Sequence, residues 1–266
     1  MRVLQTMTAR MRRSEGKEIT DMKQLILKVI NNQRIAENVW KMDLESPELE
    51  EQKPGRFINI RLDGLFLRRP VSVCESAPGS LTIIYKTVGK GTEQMSRIRE
   101  NEQLDVLTGL GNGYDLSKAG DRPLLLGGGV GVPPLMMLAR KLREQGKEVT
   151  AVLGFNTRSE VFGETEFRRM GCRTIVTTAD GSCGIKGFVT DALPENYSYF
   201  YTCGPEPMLK AVYRKTTTSG QFSFEERMGC GFGACMGCSC KTISGTKRIC
   251  REGPVLEKEE IAGWAD

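Results

Sequence analysis

Five of the nine cysteines crowd into one short stretch, Cys230, Cys235, Cys238, Cys240 and Cys250, while Cys74, Cys172, Cys183 and Cys203 are scattered. Four of the five read C-x4-C-x2-C-x11-C, a tight loop followed by one distant cysteine. Two irons bridged by two sulfides need four thiolates, and this is the arrangement that ferredoxin-type [2Fe-2S] centres use. Gly229, Gly231, Gly233 and Gly237 suit a backbone that curls around an inorganic core and brings N–H groups to sulfur. Cys240 permits an alternative C-x4-C-x4-C register; C-x2-C is the better match, which leaves Cys240 as a buried thiol or one beside the ligands. A zinc knuckle with four cysteine ligands is the competing reading. It is the weaker one, because zinc favours paired CxxC spacing and this stretch has a single CxxC.

Two glycine-bearing turns follow strand-like runs. GGGVGVPP, Gly127 to Pro134, suits close approach of a pyrophosphate to the N-terminus of a helix, where free N–H groups and the helix dipole favour an anion. A turn that merely packs helix onto strand explains the same glycines. YTCGPEPML, Tyr201 to Leu209, sets Cys203 at the carboxyl edge of a sheet, where open α/β folds bind ligands; a core thiol at a strand end is the plain alternative. RRPVSV at Arg68 to Val73 and YKTVGKGTEQMS at Tyr85 to Ser96 each place a cation or hydroxyl beside a turn, suited to a phosphate and a flat ring.

There is no histidine in the chain. That removes Ser-His-Asp and Cys-His catalysis, His-ligated zinc, Rieske clusters and axial-His haem together. With 38 Lys and Arg against 33 Asp and Glu, the charge of +5 gives weak grounds for a polyanion partner. An odd cysteine count, a length of 266 residues and no export-type leader point to a reducing, cytoplasmic setting. The most apolar stretch, Leu124 to Ala139, is broken by glycine and proline and falls short of a bilayer span.

These groups need elements to hold them. From Lys23 to about Leu116 come six short apolar runs, LILKVINNQRI, NVWKMDLES, GRFINIRLD, RRPVSVCES, SLTIIYKTV and EQLDVLTGL. Pro-Gly, Asp-Gly and Gly-Lys-Gly punctuate them, as in an antiparallel barrel or sandwich, with one helix expected at Glu93 to Arg99. From Arg122 to about Tyr213 strands alternate with helices, which predicts a parallel sheet covered on both faces. A loop-rich tail begins at Gln221. The expected division is an extension over 1–21, with Met22 a possible true start, a barrel domain over 22–119, an α/β domain over 120–218 and a cluster region over 219–266.

The order Arg-x-x-Ser, Gly-x-Gly-Thr, glycine-rich turn, Cys-Gly-Pro-x-x-Met resembles the ferredoxin-NADP reductase superfamily over nearly the whole chain from Met22. The ending EERMGCGFGACMGC…ICREGPV resembles the electron-transfer subunits of class 1B dihydroorotate dehydrogenases. The resemblance implies a mixed β and α/β fold: an antiparallel FAD-binding β-barrel, a parallel-sheet NAD-binding domain and a small C-terminal [2Fe-2S] loop region. It implies that Arg69, Pro70, Val71 and Ser72 hold the flavin, with Val71 where the superfamily usually has an aromatic residue, and that Ile84, Tyr85, Lys86, Gly91 and Thr92 continue that site. Gly128, Gly129 and Gly131 meet the nicotinamide dinucleotide, Cys203, Gly204 and Pro205 lie by its ring, and Cys230, Cys235, Cys238 and Cys250 bind iron. Arg158 in GFNTRSE departs from the pattern; a guanidinium there could accept a 2′-phosphate, which leaves NAD against NADP open, although a solvated side chain is the stronger reading.

Hydride exchange between flavin and nicotinamide needs no general base, so a histidine-free chain can perform it. Flavin converts two-electron to one-electron transfer, and the cluster passes single electrons on. The resemblance gives the partner as an FMN-containing dihydroorotate dehydrogenase catalytic subunit, two of each chain in a heterotetramer serving pyrimidine biosynthesis, with electrons flowing to NAD+. No dihydroorotate site is legible here, and neither nucleic acid nor membrane is an expected partner. The competing readings are a related NAD(P)H-ferredoxin or hydrogenase-type reductase subunit and, from another class, a zinc-stabilised or redox-sensing interaction module.

Overall fold

Alternating apolar and polar residues build the first half of the chain. In a computed structural model, which describes residues 22–264, the strands β1 (Lys23–Ala36), β2 (Val39–Glu45), β3 (Phe57–Ile60), β4 (Arg69–Ala77), β5 (Ser80–Lys86) and β6 (Gln103–Leu110) close into an antiparallel barrel. Their order is β1-β2-β5-β4-β3-β6, and closure removes every free edge of the sheet. On β1, Leu25, Leu27 and Val29 point inward while Gln24 and Ile26 face out. They meet Met42, Ile58, Ile60, Val73, Ile83 and Val106 in one apolar core. All six expected strands are present. The expected extension over 1–21 lies outside the described residues.

The helix expected at Glu93 to Arg99 is instead α1 (Lys90–Met95). It starts earlier because Thr92 Oγ1 accepts the N–H groups of Val88 and Gly89, at 2.8 and 3.3 Å. Side-chain capping of that kind fixes a helix start more firmly than apolar spacing does.

The second half is a sheet in the order β10-β9-β8-β7-β11-β12-β15, formed by β7 (Pro123–Gly128), β8 (Thr150–Phe155), β9 (Arg173–Thr178), β10 (Ile185–Lys186), β11 (Tyr199–Cys203), β12 (Gly220–Ser223) and β15 (Val255–Glu257). All pairs are parallel except β12 with β15. Helices α2 (Pro133–Glu144), α3 (Glu164–Arg169) and α4 (Glu206–Lys215) cover it, and β13 (Ser239–Thr242) with β14 (Gly245–Arg248) forms a separate hairpin. Pro133 and Pro134 occupy the first turn of α2, where no backbone bond is lost, and Lys141 and Arg143 sit at its negative end. The tail is less loop-like than its sequence suggests, since β12 and β15 extend the sheet. Strands of four and three residues are too short to show alternation, yet they bury Phe222 and Leu256 completely.

Packing ties the parts together. Helix α2 lies on β4, with an Arg140–Glu75 ion pair at 2.9 Å and Met136 Sδ 3.2 Å from Cys74 Sγ. Tyr114 packs edge-on against Tyr201 at 5.5 Å and donates its hydroxyl to Thr202 O. The outer face of the barrel, through Phe57, Leu107 and Leu110, shares an apolar cluster with Cys238, Ile249, Cys250 and Leu256. Asn112 grips the segment after the last cysteine by exchanging hydrogen bonds with Val255, at 2.7 and 3.1 Å. No helix among the described residues is long and apolar enough to cross a membrane.

Candidate functional site

One cavity of about 320 Å³ lies where barrel, sheet and tail meet. Pro70, Val71 and Ser72 of β4, Ile84, Tyr85 and Lys86 of β5, Thr92 of α1 and Cys203 of β11 all line it, so eight of the residues singled out by sequence converge on one space. Arg69 stands beside them. Its Nη1 donates to Leu67 O, and among the described residues it has no carboxylate partner in ion-pair range. A Cβ on Gly91 would stand 2.1 Å from Arg69 Nε, so the guanidinium rests on the bare backbone at the start of α1. An unmatched cation over a glycine cradle fits a pyrophosphate. Tyr85 and Lys86 are partly engaged elsewhere: the Tyr85 hydroxyl donates to Asn32 Oδ1 inside the barrel, and the Lys86 ammonium pairs with Glu160 at 2.7 Å, bridging barrel and sheet.

The chain runs outward from β7 in one direction through β8 and β9, and in the other through β11 and β12. Ligands of open α/β sheets bind in the crevice at such a switch. Both glycine-bearing turns end there. A Cβ on Gly131 would fall 2.2 Å from Cys203 O, so the turns interlock directly, while Gly129 faces open space at a φ of +53°. Gly128 closes β7, and Gly204 lines a second cavity of about 210 Å³ that shares Phe224, Glu225 and Glu226 with the first. Pro205 precedes α4. Burial, and then the nearby Glu225 charge, push the Cys203 thiol far up, so it stays neutral. The Arg158 side chain is exposed at the carboxyl end of β8, and the residue's backbone N–H donates to Ser182 Oγ.

The four thiols fall into two pairs. Cys230 Sγ receives the N–H groups of Ala234 and Cys235 at 3.2 and 3.4 Å, and Cys235 Sγ those of Cys230 and Gly237 at 3.4 and 3.5 Å. Cys238 Sγ receives Cys250 N–H at 3.4 Å. Partial burial disfavours the Cys230 thiolate, but the N–H groups of Cys235 and Phe232 outweigh it and bring the thiol down to about 6. Cys250 moves the other way, up to about 12, through burial and the negative fields of Cys238 and Cys230. Thiolates gathered in this way repel one another as anions, and a pair of ferric ions bound there would supply the compensating positive charge. Two such pairs suit a two-iron core. Cys240 lies on β13, opposite Lys247, packed against the apolar cluster that holds Cys238 and Cys250 and lining the second cavity.

Sequence reasoning passed over Glu225, Phe224, Met228 and Val130, which also line the main cavity. Glu225 lies two residues beyond β12, and its place past the carboxyl end of a sheet strand is the signal that would have found it, had that strand been read from four residues.

A family model for the iron–sulfur cluster binding domain of dihydroorotate dehydrogenase B matches residues 225–262. A protein of Geobacillus sp. (strain WCH70), dihydroorotate dehydrogenase B (NAD(+)), electron transfer subunit, is 42% identical over 255 residues, 90% of this chain and 99% of the relative. The protein of the same description from Fusobacterium nucleatum subsp. nucleatum is 44% identical over 250 residues, 88% of this chain and 96% of the relative. Among solved structures, the NADH-dependent reduced ferredoxin-NADP oxidoreductase superposes with a TM-score of 0.82 at 32% identity over 90% of both chains. Phthalate dioxygenase reductase, at TM-score 0.60 and 17% identity over 84% of this chain and 87% of the other, shares the fold.

Proposed function

This chain belongs to the family of dihydroorotate dehydrogenase B electron transfer subunits, and from that premise we propose how its residues carry electrons. It is an oxidoreductase subunit of NAD-linked dihydroorotate oxidation whose cofactors are FAD, a [2Fe-2S] cluster and NAD. The observation that carries the assignment of residues is the single cavity lined at once by β4, β5, α1, Cys203 and the start of the cysteine-bearing tail. Bound flavin exchanges a hydride with nicotinamide and single electrons with the cluster.

The roles of the chain's own residues follow. Arg69, with Gly91 and Thr92, holds the flavin pyrophosphate; Pro70, Val71, Ser72, Ile84, Tyr85 and Lys86 form the walls that orient the ring and exclude water. Gly128, Gly129 and Gly131 admit the dinucleotide, and Cys203, Gly204 and Pro205 face its nicotinamide. Cys230, Cys235, Cys238 and Cys250 would hold the cluster, the first two and the last two standing as pairs. The domain limits we adopt are 22–119, 120–218 and 219–266. The partner is the catalytic subunit, which brings FMN, in a cytoplasmic assembly of two copies of each chain.

The isolated chain should reduce artificial acceptors with NADH and leave dihydroorotate untouched. Orotate formed by this chain alone, followed by absorbance under anaerobic conditions, overturns the division of labour.

Glu225 gives a second test. Burial of the carboxyl holds it above the ordinary glutamate range, although the residue as a whole is exposed. A carboxylate there stabilises the positive charge that grows on nicotinamide as hydride leaves. Because the folded value is raised, this carboxylate is lost at a higher pH than that of a surface glutamate. Flavin reduction by NADH should therefore decline on the acid side, and Glu225→Gln should abolish that limb. Identical stopped-flow pH profiles in the two proteins would remove Glu225 from the step.

A further inference from the structure

Asn59 stands between the flavin segment and the cysteine loop. On β3, Ile58 and Ile60 enter the barrel core, while Phe57 packs outward against Cys238 and Cys250. Asn59, on that same outward face, is 1% exposed. Its Nδ2 donates to the carbonyl oxygen of Cys230 at 3.3 Å, and its Oδ1 is buried without a hydrogen-bond partner. A half-satisfied amide is a poor choice for packing alone, since an apolar side chain of similar size fills the space without an orphaned acceptor.

The contact is close on both sides. Gly231 has a φ of +80°, and a Cβ there would stand 2.3 Å from Asn59 Nδ2, so the Cys230–Gly231 peptide lies directly on the amide. In the barrel ladder Asn59 pairs with Pro70, which lines the main cavity together with Val71 and Ser72. The peptide that Asn59 holds opens the turn whose N–H groups, from Ala234 and Cys235, reach Cys230 Sγ. Hydrogen bonds to the sulfurs are among the chief determinants of an iron–sulfur potential, and partners outside the ligand shell fix their geometry.

We propose that Asn59 is a positioning residue for electron transfer, fixing the Cys230–Gly231 peptide and so setting the reduction potential of the cluster held at Cys230. The inference rests on the reading of Cys230 as an iron ligand. Freeing the peptide weakens the N–H···S contacts that favour the reduced, more negative cluster, so the potential falls.

The test is an anaerobic redox titration of the purified full chain with FAD and cluster bound, followed by EPR of the reduced cluster. Asn59→Ala should lower the reduction equilibrium about tenfold, 59 mV for one electron, and alter the EPR line shape. Asn59→Asp, nearly the same shape but with a carboxylate facing the Cys230 carbonyl oxygen, should lower it further. Wild-type potential and line shape in both variants overturn the proposal. If Asn59→Ala fails to assemble a cluster, Asn59→Asp and Gly231→Ala decide: the latter displaces the same amide from the other side, and a cluster of unchanged potential in both has the same force. A wild-type chain without acid-labile sulfide sinks the ligand reading instead, so the two failures are distinguishable.

Discussion

Replacing Cys250 by Ser should yield a yellow protein that keeps FAD and loses the iron. The wild-type chain should carry about two irons and two acid-labile sulfides, and the variant almost none, measured by colorimetric iron and sulfide assays on anaerobically purified protein. Cys250 is buried against Phe57, Leu107 and Leu110, and its N–H is bonded to Cys238 Sγ. Serine keeps the volume and removes the thiolate that completes the second pair, so the barrel and the sheet should fold as before. Electron delivery to the catalytic partner should drop by more than the roughly 100-fold that changes outside a ligand shell can cause. NADH reduction of an artificial two-electron acceptor, which draws on flavin alone, should persist. Full iron and sulfide in Cys250→Ser would falsify the ligand set, and Cys240, half-buried on the neighbouring hairpin, would then be the first replacement to examine.

The second large effect is on flavin. Arg69→Ala removes the guanidinium that has no carboxylate partner among the described residues. Deleting one charge-assisted hydrogen bond to a phosphate costs about 1.5–3 kcal/mol, roughly a 10- to 150-fold weaker affinity. Gly91→Ala should act through the same group, because its Cβ falls 2.1 Å from Arg69 Nε and the flexible guanidinium must swing away. Only the end of a side chain moves, so the thermal midpoint of the flavin-free protein should barely change. The double variant should bind FAD little worse than Arg69→Ala, since both changes remove one interaction. Titration by flavin fluorescence reads all three affinities. Fully additive losses show that Gly91 and Arg69 serve the cofactor separately.

Much of this was legible along the chain because the relevant signals are local. The runs from LILKVINNQRI to EQLDVLTGL carry their own alternation and turn residues, and each became a strand of the barrel. Capping of α1 by Thr92 is equally local, yet the start expected at Glu93 fell too late. The strands β12 and β15 could not be read, because so few residues acquire strand character only by pairing with β11 and with each other. Glu225 was missed as a consequence, being defined as a site residue by the end of β12.

Spacing and residue type alone specify the chemistry: four thiols in C-x4-C-x2-C-x11-C, a glycine-rich turn before a helix, and no imidazole to support acid–base alternatives. Such motifs are covalent facts that need no fold to be read. How the centres face one another is a different kind of information. That Asn59 lies under Cys230, that Gly131 abuts Cys203, and that Arg69 rests on Gly91 are contacts between residues from 22 to 171 positions apart. Only the closure of the barrel and the packing of its outer face against the tail bring them within a few ångströms, because burial of apolar surface is non-directional and leaves no trace in local spacing.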